Sequence, residues 1–179
     1  MIIWLNGAFG AGKTTTAKEL ASLMPRTRIC DPEVVGYLLM EYLKDRDLRD
    51  FQDVPPWRNL VPVVLSEIAG LTGQDLIAPQ TVLNESYWIE LRRGFERHSL
   101  EAYHVVLDVD PGTLIERINA DDVERRARAW RIDHMSDYAT ARAWLTAAAD
   151  LTVDLTTLSA AEGANAILQS LKPADTGAL

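Results

Sequence analysis

Between Gly7 and Thr14 the chain reads Gly-Ala-Phe-Gly-Ala-Gly-Lys-Thr, an unbroken match to G-x-x-x-x-G-K-[ST]. At this composition such a match arises by chance about once in a thousand chains. The apolar run Ile2–Leu5 precedes it, and helix-period residues Ala17, Leu20, Ala21 and Met24 follow it. That strand–loop–helix context is the one the motif requires. Glycines let the backbone close around an anion so that successive N–H groups point inward. The helix opening at Lys13 adds the positive end of its dipole. The expected nucleotide-binding loop is therefore Gly7, Ala8, Phe9, Gly10, Ala11, Gly12, Lys13, Thr14 and Thr15. Lys13 is expected to reach the β- and γ-phosphates, and the Thr14 hydroxyl to ligate Mg²⁺. Thr15 fits either an α-phosphate contact or a helix position.

The rest of the chain alternates short apolar runs with helical segments. Strands are expected at Arg28–Cys30, Asp75–Pro79, His104–Val109 and Leu151–Val153. Helices are expected at Glu33–Leu43, Trp57–Leu71, Tyr87–His98, Pro111–Ala120, Ser136–Ala149 and Ser159–Leu171. The segment Trp57–Leu71 is apolar nearly all round, which predicts deep burial. Arg46–Asp53 reads as a loop. Five strands alternating with helices predict an α/β, three-layer fold with a parallel sheet covered on both faces. In such sheets ligands sit beyond the carboxyl ends of the strands. Residues 1–179 read as one domain, with an Arg-rich lid at about 117–134.

Composition narrows the function. With 26 acidic and 18 basic side chains the formal net charge is −8, which argues against a nucleic-acid or anionic-membrane binder. One cysteine, Cys30, leaves no disulfide and no cysteine-based zinc site; it reads as a small buried apolar residue. No apolar stretch approaches the length of a spanning helix, and the opening run is too short for a signal-peptide core. A cytoplasmic protein, monomeric or homodimeric, is expected. His98, His104 and His134 lack metal-ligand spacing and read as structural.

The remaining strand ends suggest a transfer reaction. Cys30-Asp31-Pro32-Glu33 places two carboxylates where a helix begins. Asp31 suits a helix cap, and equally a group that orients metal-bound water or takes a proton from an acceptor hydroxyl. Glu33 fits the helix dipole or a contact to magnesium or substrate. The third strand ends in Ala78-Pro79-Gln80-Thr81, without the aspartate that motor and switch ATPases carry there. Asp110 suits a cap of the following helix. Arg117, Arg125, Arg126, Arg128 and Arg131 crowd one short segment. They form either a solvated face paired with its acids or a lid clamping the transferring phosphoryl group, with Arg125 and Arg128 as the catalytic candidates. Trp57 and Arg58 could clamp a flat acceptor, or Trp57 could simply pack. The chain lacks the N/T-K-x-D element that reads guanine, so ATP is the expected nucleotide. The turn Asp154–Leu158 is expected beside the adenine.

Met1–Thr15, the Asp31-Pro32-Glu33 turn, the segment Asp53–Arg58 and the strand Asp75–Pro79 together resemble the tunicamycin-resistance protein family. That family is similar in fold to nucleoside and shikimate-type kinases and to chloramphenicol phosphotransferase. The resemblance implies an ATP-binding protein acting on tunicamycin, a nucleoside antibiotic with uracil and sugar hydroxyls. It carries nucleotide binding onto Gly7, Gly12, Lys13 and Thr14, and the acceptor-site carboxylate onto Asp31. Phosphorylation of the drug, its ATP-dependent sequestration, and phosphorylation of a cellular metabolite with the drug incidental are all compatible with it.

Overall fold

A computed structural model of the chain describes residues 1–48, 50–121 and 128–172. Five strands form one parallel sheet: β1 (Ile2–Gly7), β2 (Thr27–Ile29), β3 (Asp75–Pro79), β4 (Ala102–Asp108) and β5 (Leu151–Asp154), in the order β2-β3-β1-β4-β5. β1 lies at the centre, with Ile3 opposite Ile77 on one side and Tyr103 on the other. Among the described residues, eight α-helices connect and cover the strands: α1 (Lys13–Leu23), α2 (Glu33–Tyr42), α3 (Pro55–Thr72), α4 (Glu85–Arg97), α5 (Pro111–Ala120), α6 (Arg128–Asp133), α7 (Met135–Ala148) and α8 (Ala160–Leu171). The expected three-layer α/β architecture is present.

Alternation along the strands builds two cores, because successive side chains leave opposite faces of a sheet. Ile3 and Leu5 pack with Leu20 of α1, Leu145 of α7 and Ile167 of α8. Ile2 and Trp4 pack on the other face with Val61 and Leu65 of α3 and with Trp88 and Phe95 of α4. The Trp4 ring lies 5.7 Å from Trp88 and 5.9 Å from Phe95, tilted against both. Each such buried side chain contributes roughly 1.5–3 kcal/mol.

Helix ends follow their local chemistry. Asp110 accepts from the N–H groups of Gly112 and Thr113 and caps α5 as expected. Ser159 and Glu162 form a reciprocal capping box on α8. Asn84 caps α4 through the Ser86 N–H.

Two expectations, on α3 and on Cys30, are corrected. α3 is buried on one side only, and Leu71 is 90% exposed with Leu60, Val63 and Val64 half-buried. Its second apolar face is left exposed among the described residues, which composition cannot reveal. The stripe Val34, Leu38 and Tyr42 of α2 faces outward, while Val35 and Gly36 face in. Cys30 is half-buried rather than sealed in the core, and burial raises its thiol pKa. Within the segment read as a loop, Phe51–Asp53 forms a single 3₁₀ turn capped by the Asp50 side chain.

Candidate active site

β1 delivers the chain to the middle of the sheet edge, and the loop that follows turns on glycine. Gly7 has φ +141° and lies so close to β4 that a Cβ there would meet the Leu107 carbonyl oxygen at 2.5 Å. Gly12 has φ +92°, a left-handed conformation that a side chain would strain. α1 then starts with no side-chain cap and no acid in its first turn. Its first N–H groups and its dipole thus stay available to an anion. Thr14 and Thr15 are exposed at this end, whereas Thr16 is buried.

The loop is braced from below. The Asn6 Oδ1 accepts from the Gly7 and Val82 N–H groups, both at 2.9 Å. Its Nδ2 donates to the Val82 carbonyl at 3.0 Å and lies 3.3 Å from His104 Nε2. His104 Nδ1 faces the Ala148 carbonyl at 3.1 Å. A carbonyl only accepts, so Nδ1 carries the proton and Nε2 accepts from Asn6. Burial holds the His104 pKa down at about 4, against the pull of its bond to Ala148 and of nearby Asp150. The Thr81 hydroxyl donates to the Gly7 carbonyl at 2.9 Å and ties the end of β3 to the loop.

Lys13 Nζ donates to the Ala8 carbonyl at 2.8 Å and to Gly7 at 3.3 Å. Burial lowers its pKa from 10.5 to about 7; the Glu33 carboxylate opposes that shift and the Arg131 guanidinium adds to it. Lys13, Asp31, Glu33 and Arg131 therefore share one site. They line a cavity of about 1040 Å³ that runs from the loop to Leu155 and Leu158. Arg117 reaches the same end and donates to the Leu155 carbonyl at 2.7 Å. Asp31 Oδ1 accepts from the Glu33 N–H at 2.9 Å at the start of α2, and the residue lines the cavity. Glu33 also accepts from the Tyr37 hydroxyl at 2.8 Å.

A second cavity of about 890 Å³ adjoins the first and shares Phe9, Thr81 and Trp130 with it. Phe9 and Trp130 meet edge to face at 4.6 Å, and Trp130 lies 4.0 Å from His134. α6 is thereby seated on the glycine-rich loop, and Arg131, the next residue, reaches the nucleotide side. Tyr87 and Asp53 also line this cavity, with the Tyr87 hydroxyl donating to Asp53 at 3.2 Å.

Two substrate candidates are corrected. Trp57 is fully buried, its indole N–H donating to the Pro32 carbonyl at 3.1 Å and its ring against Phe51. It fixes the turn that carries Asp31 and has no face open to a ligand. Arg58 is also buried, ion-paired with Glu90 at 2.7 Å, bonded to the Gln52 carbonyl, and stacked 4.1 Å behind the Tyr87 ring. Arg128 lies on neither cavity wall and donates to the Asn119 carbonyl at 2.8 Å. Arg125 and Arg126 lie outside the described residues. Arg131 stands in the sequence only as one of the crowded lid arginines, His134 reads there as structural, and Asp53 and Asp137 carry no site signal. Only the Arg131 neighbourhood carried a signal there, as part of the arginine-dense run. Among the described residues no group of three or more His, Cys, Asp and Glu side chains converges as a metal cage, so the fit for a divalent ion rests on Thr14 at the mouth of α1.

The chain is similar in sequence or fold to known proteins. Residues 2–139 match the model of a family described as AAA domain. The tunicamycin resistance protein of Deinococcus radiodurans is 25% identical, with a TM-score of 0.69 over 94% of this chain and 93% of that one. The APS kinase of Mycobacterium tuberculosis, solved with AMPPNP and APS, is 20% identical, with a TM-score of 0.63 over 95% and 96%. A shikimate kinase of Bacteroides thetaiotaomicron is 17% identical, with a TM-score of 0.65 over 94% and 97%. No curated protein matches the chain in sequence. No helix among the described residues is long and apolar enough to cross a membrane.

Proposed function

The chain belongs to the AAA domain family, and on that premise we propose that it is an ATP-dependent phosphotransferase acting on a hydroxyl of a small, nucleoside-like molecule. The supporting observation is the convergence of the glycine loop, Lys13 and Asp31 on one cavity, with a second cavity opening across Phe9. The residues present fit the nucleotide: the glycine-rich turn through Gly10 and Gly12 and the uncapped start of α1 would hold the phosphates. Thr14 would hold Mg²⁺, and the Leu155–Leu158 turn would flank the adenine. ATP supplies the transferable γ-phosphoryl group.

The remaining work belongs to the chain. Lys13 concentrates positive charge where the phosphate oxygens gather, and Arg131 adds a second, permanently charged group from α6. Asp31 accepts the proton of the acceptor hydroxyl as its oxygen bonds to phosphorus and the bond to ADP breaks. The body of the acceptor occupies the smaller cavity and presents its hydroxyl across the shared edge at Thr81. Phe9 and Trp130 keep water from that edge, which favours transfer over hydrolysis. The likeness to the Deinococcus radiodurans tunicamycin resistance protein makes tunicamycin the first acceptor to test.

Incubation of the drug with protein, ATP and Mg²⁺, read by mass spectrometry, decides the chemistry. Phosphotransfer adds about 80 Da, the mass of one phosphoryl group. Unchanged drug held tightly only when ATP is present would instead identify a binding protein without transfer.

A further inference from the structure

Resting on the reading that the smaller cavity takes the acceptor, we infer that this cavity favours a flat, hydroxyl-bearing acceptor with a positive charge over a neutral one, and disfavours an anionic acceptor. The cavity and its edge with the glycine loop define the site; its wall chemistry defines the charge. Four carboxylates stand on that wall: Asp50, Asp53, Glu85 and Asp137. Among its described lining residues there is no lysine or arginine. Arg58, behind the Tyr87 ring, is held by Glu90 and the Gln52 carbonyl.

The helices add to this. α4 and α7 begin at the cavity, and a helix start ordinarily attracts anions. Glu85 and Asp137 occupy the first turns of those helices. The protein's own carboxylates thus take up the positive dipole ends that would otherwise serve a carboxylate or phosphate on the acceptor. Tyr87 and Trp144, with Phe9 and Trp130 at the shared edge, supply ring faces and edges. Aromatic walls suit a planar ring and also hold a cation over a ring face. A negative acceptor would meet like charges at Asp53, Glu85 and Asp137, a juxtaposition that suppresses wrong partners; Asp50 is occupied in capping the Phe51–Asp53 turn, and His134 is the imidazole on the same wall.

A matched series on one nucleoside tests this: uridine, 5-aminomethyluridine and 5-carboxymethyluridine, which are neutral, cationic and anionic at pH 7. Binding is read by ligand-observed NMR on the intact protein with Mg²⁺ and a non-hydrolysable ATP analogue. Phosphoryl transfer is read separately by phosphorus NMR with ATP. The expected affinity order is cation, then neutral, then anion, with at least roughly tenfold between the ends. The double variant Asp53→Asn, Asp137→Asn should collapse that spread while still binding the ATP analogue. A flat or reversed order in the wild-type protein, or no binding by any of the three at millimolar concentration, overturns the inference. The expected order without transfer to any ligand leaves the charge preference standing and overturns the phosphotransferase reading instead.

Discussion

Lys13 carries the clearest consequences at the scale of single residues. Its pKa of about 7 in the unliganded protein means that a bound triphosphate, which favours the ammonium, should draw a proton from solution. At pH 8.5 the uptake should approach one proton per ATP, seen as a dependence of binding heat on the buffer's ionisation enthalpy; no uptake contradicts the placement of Lys13. Lys13→Ala should lower turnover by on the order of 10³-fold, because phosphoryl transfer depends on positioning and charge stabilisation. Asp31→Asn should reduce kcat far more than ATP affinity, and full turnover by that variant would remove Asp31 from the chemistry. His104 acts on stability. Its folded pKa of about 4 lies below the ordinary histidine value of 6.5, so the unfolded chain holds more proton between those values and stability falls as pH drops through them. From pH 7.5 to 5 the loss should be about 2 kcal/mol, read by urea denaturation and absent in His104→Gln. Lys13 and Asp31 were legible in the sequence because their signals are local: a contiguous motif, and an acid at a strand end. Trp57 and Arg58 misled because burial is decided by elements far along the chain, Pro32 and Glu90 among them.

At the scale of elements, the packing of α3 on α4 turns on one close contact. A Cβ at Gly94 would meet the Pro62 ring at 2.5 Å, and Pro62 is buried within α3. Gly94→Ala should therefore cost about 1–3 kcal/mol, as over-packing does, lowering Tm without altering ATP affinity in the folded fraction. An unchanged Tm would mean that the two helices do not approach this closely. Strand and helix identities were readable from periodicity, but which side of α2 and α3 packs was not. Both helices carry apolar residues on faces that stay exposed among the described residues, and periodicity locates a core only where polar residues mark the opposite face. The smaller cavity was illegible for a related reason: Phe9, Asp53, Tyr87 and His134 come together only once the sheet has brought the ends of β1 and β3 and the start of α7 side by side.

For the whole molecule, the central place of β1 matters most. The glycine loop leaves the middle of the sheet, flanked by β3 and β4, so the phosphate site is supported by both cores rather than by a flexible edge. Ligand binding there should stabilise the entire fold: at a free concentration of 100 Kd, ATP should add about 2.7 kcal/mol and raise Tm by several degrees. The central claim is that the glycine loop and Lys13 grip the phosphates of ATP. Equilibrium dialysis of labelled ATP with Mg²⁺ tests it most directly. One ATP should be retained per chain, with poor competition by GTP and loss of retention in Lys13→Ala. A folded wild-type protein that retains no ATP, or a Lys13→Ala variant that retains it equally well, would contradict it.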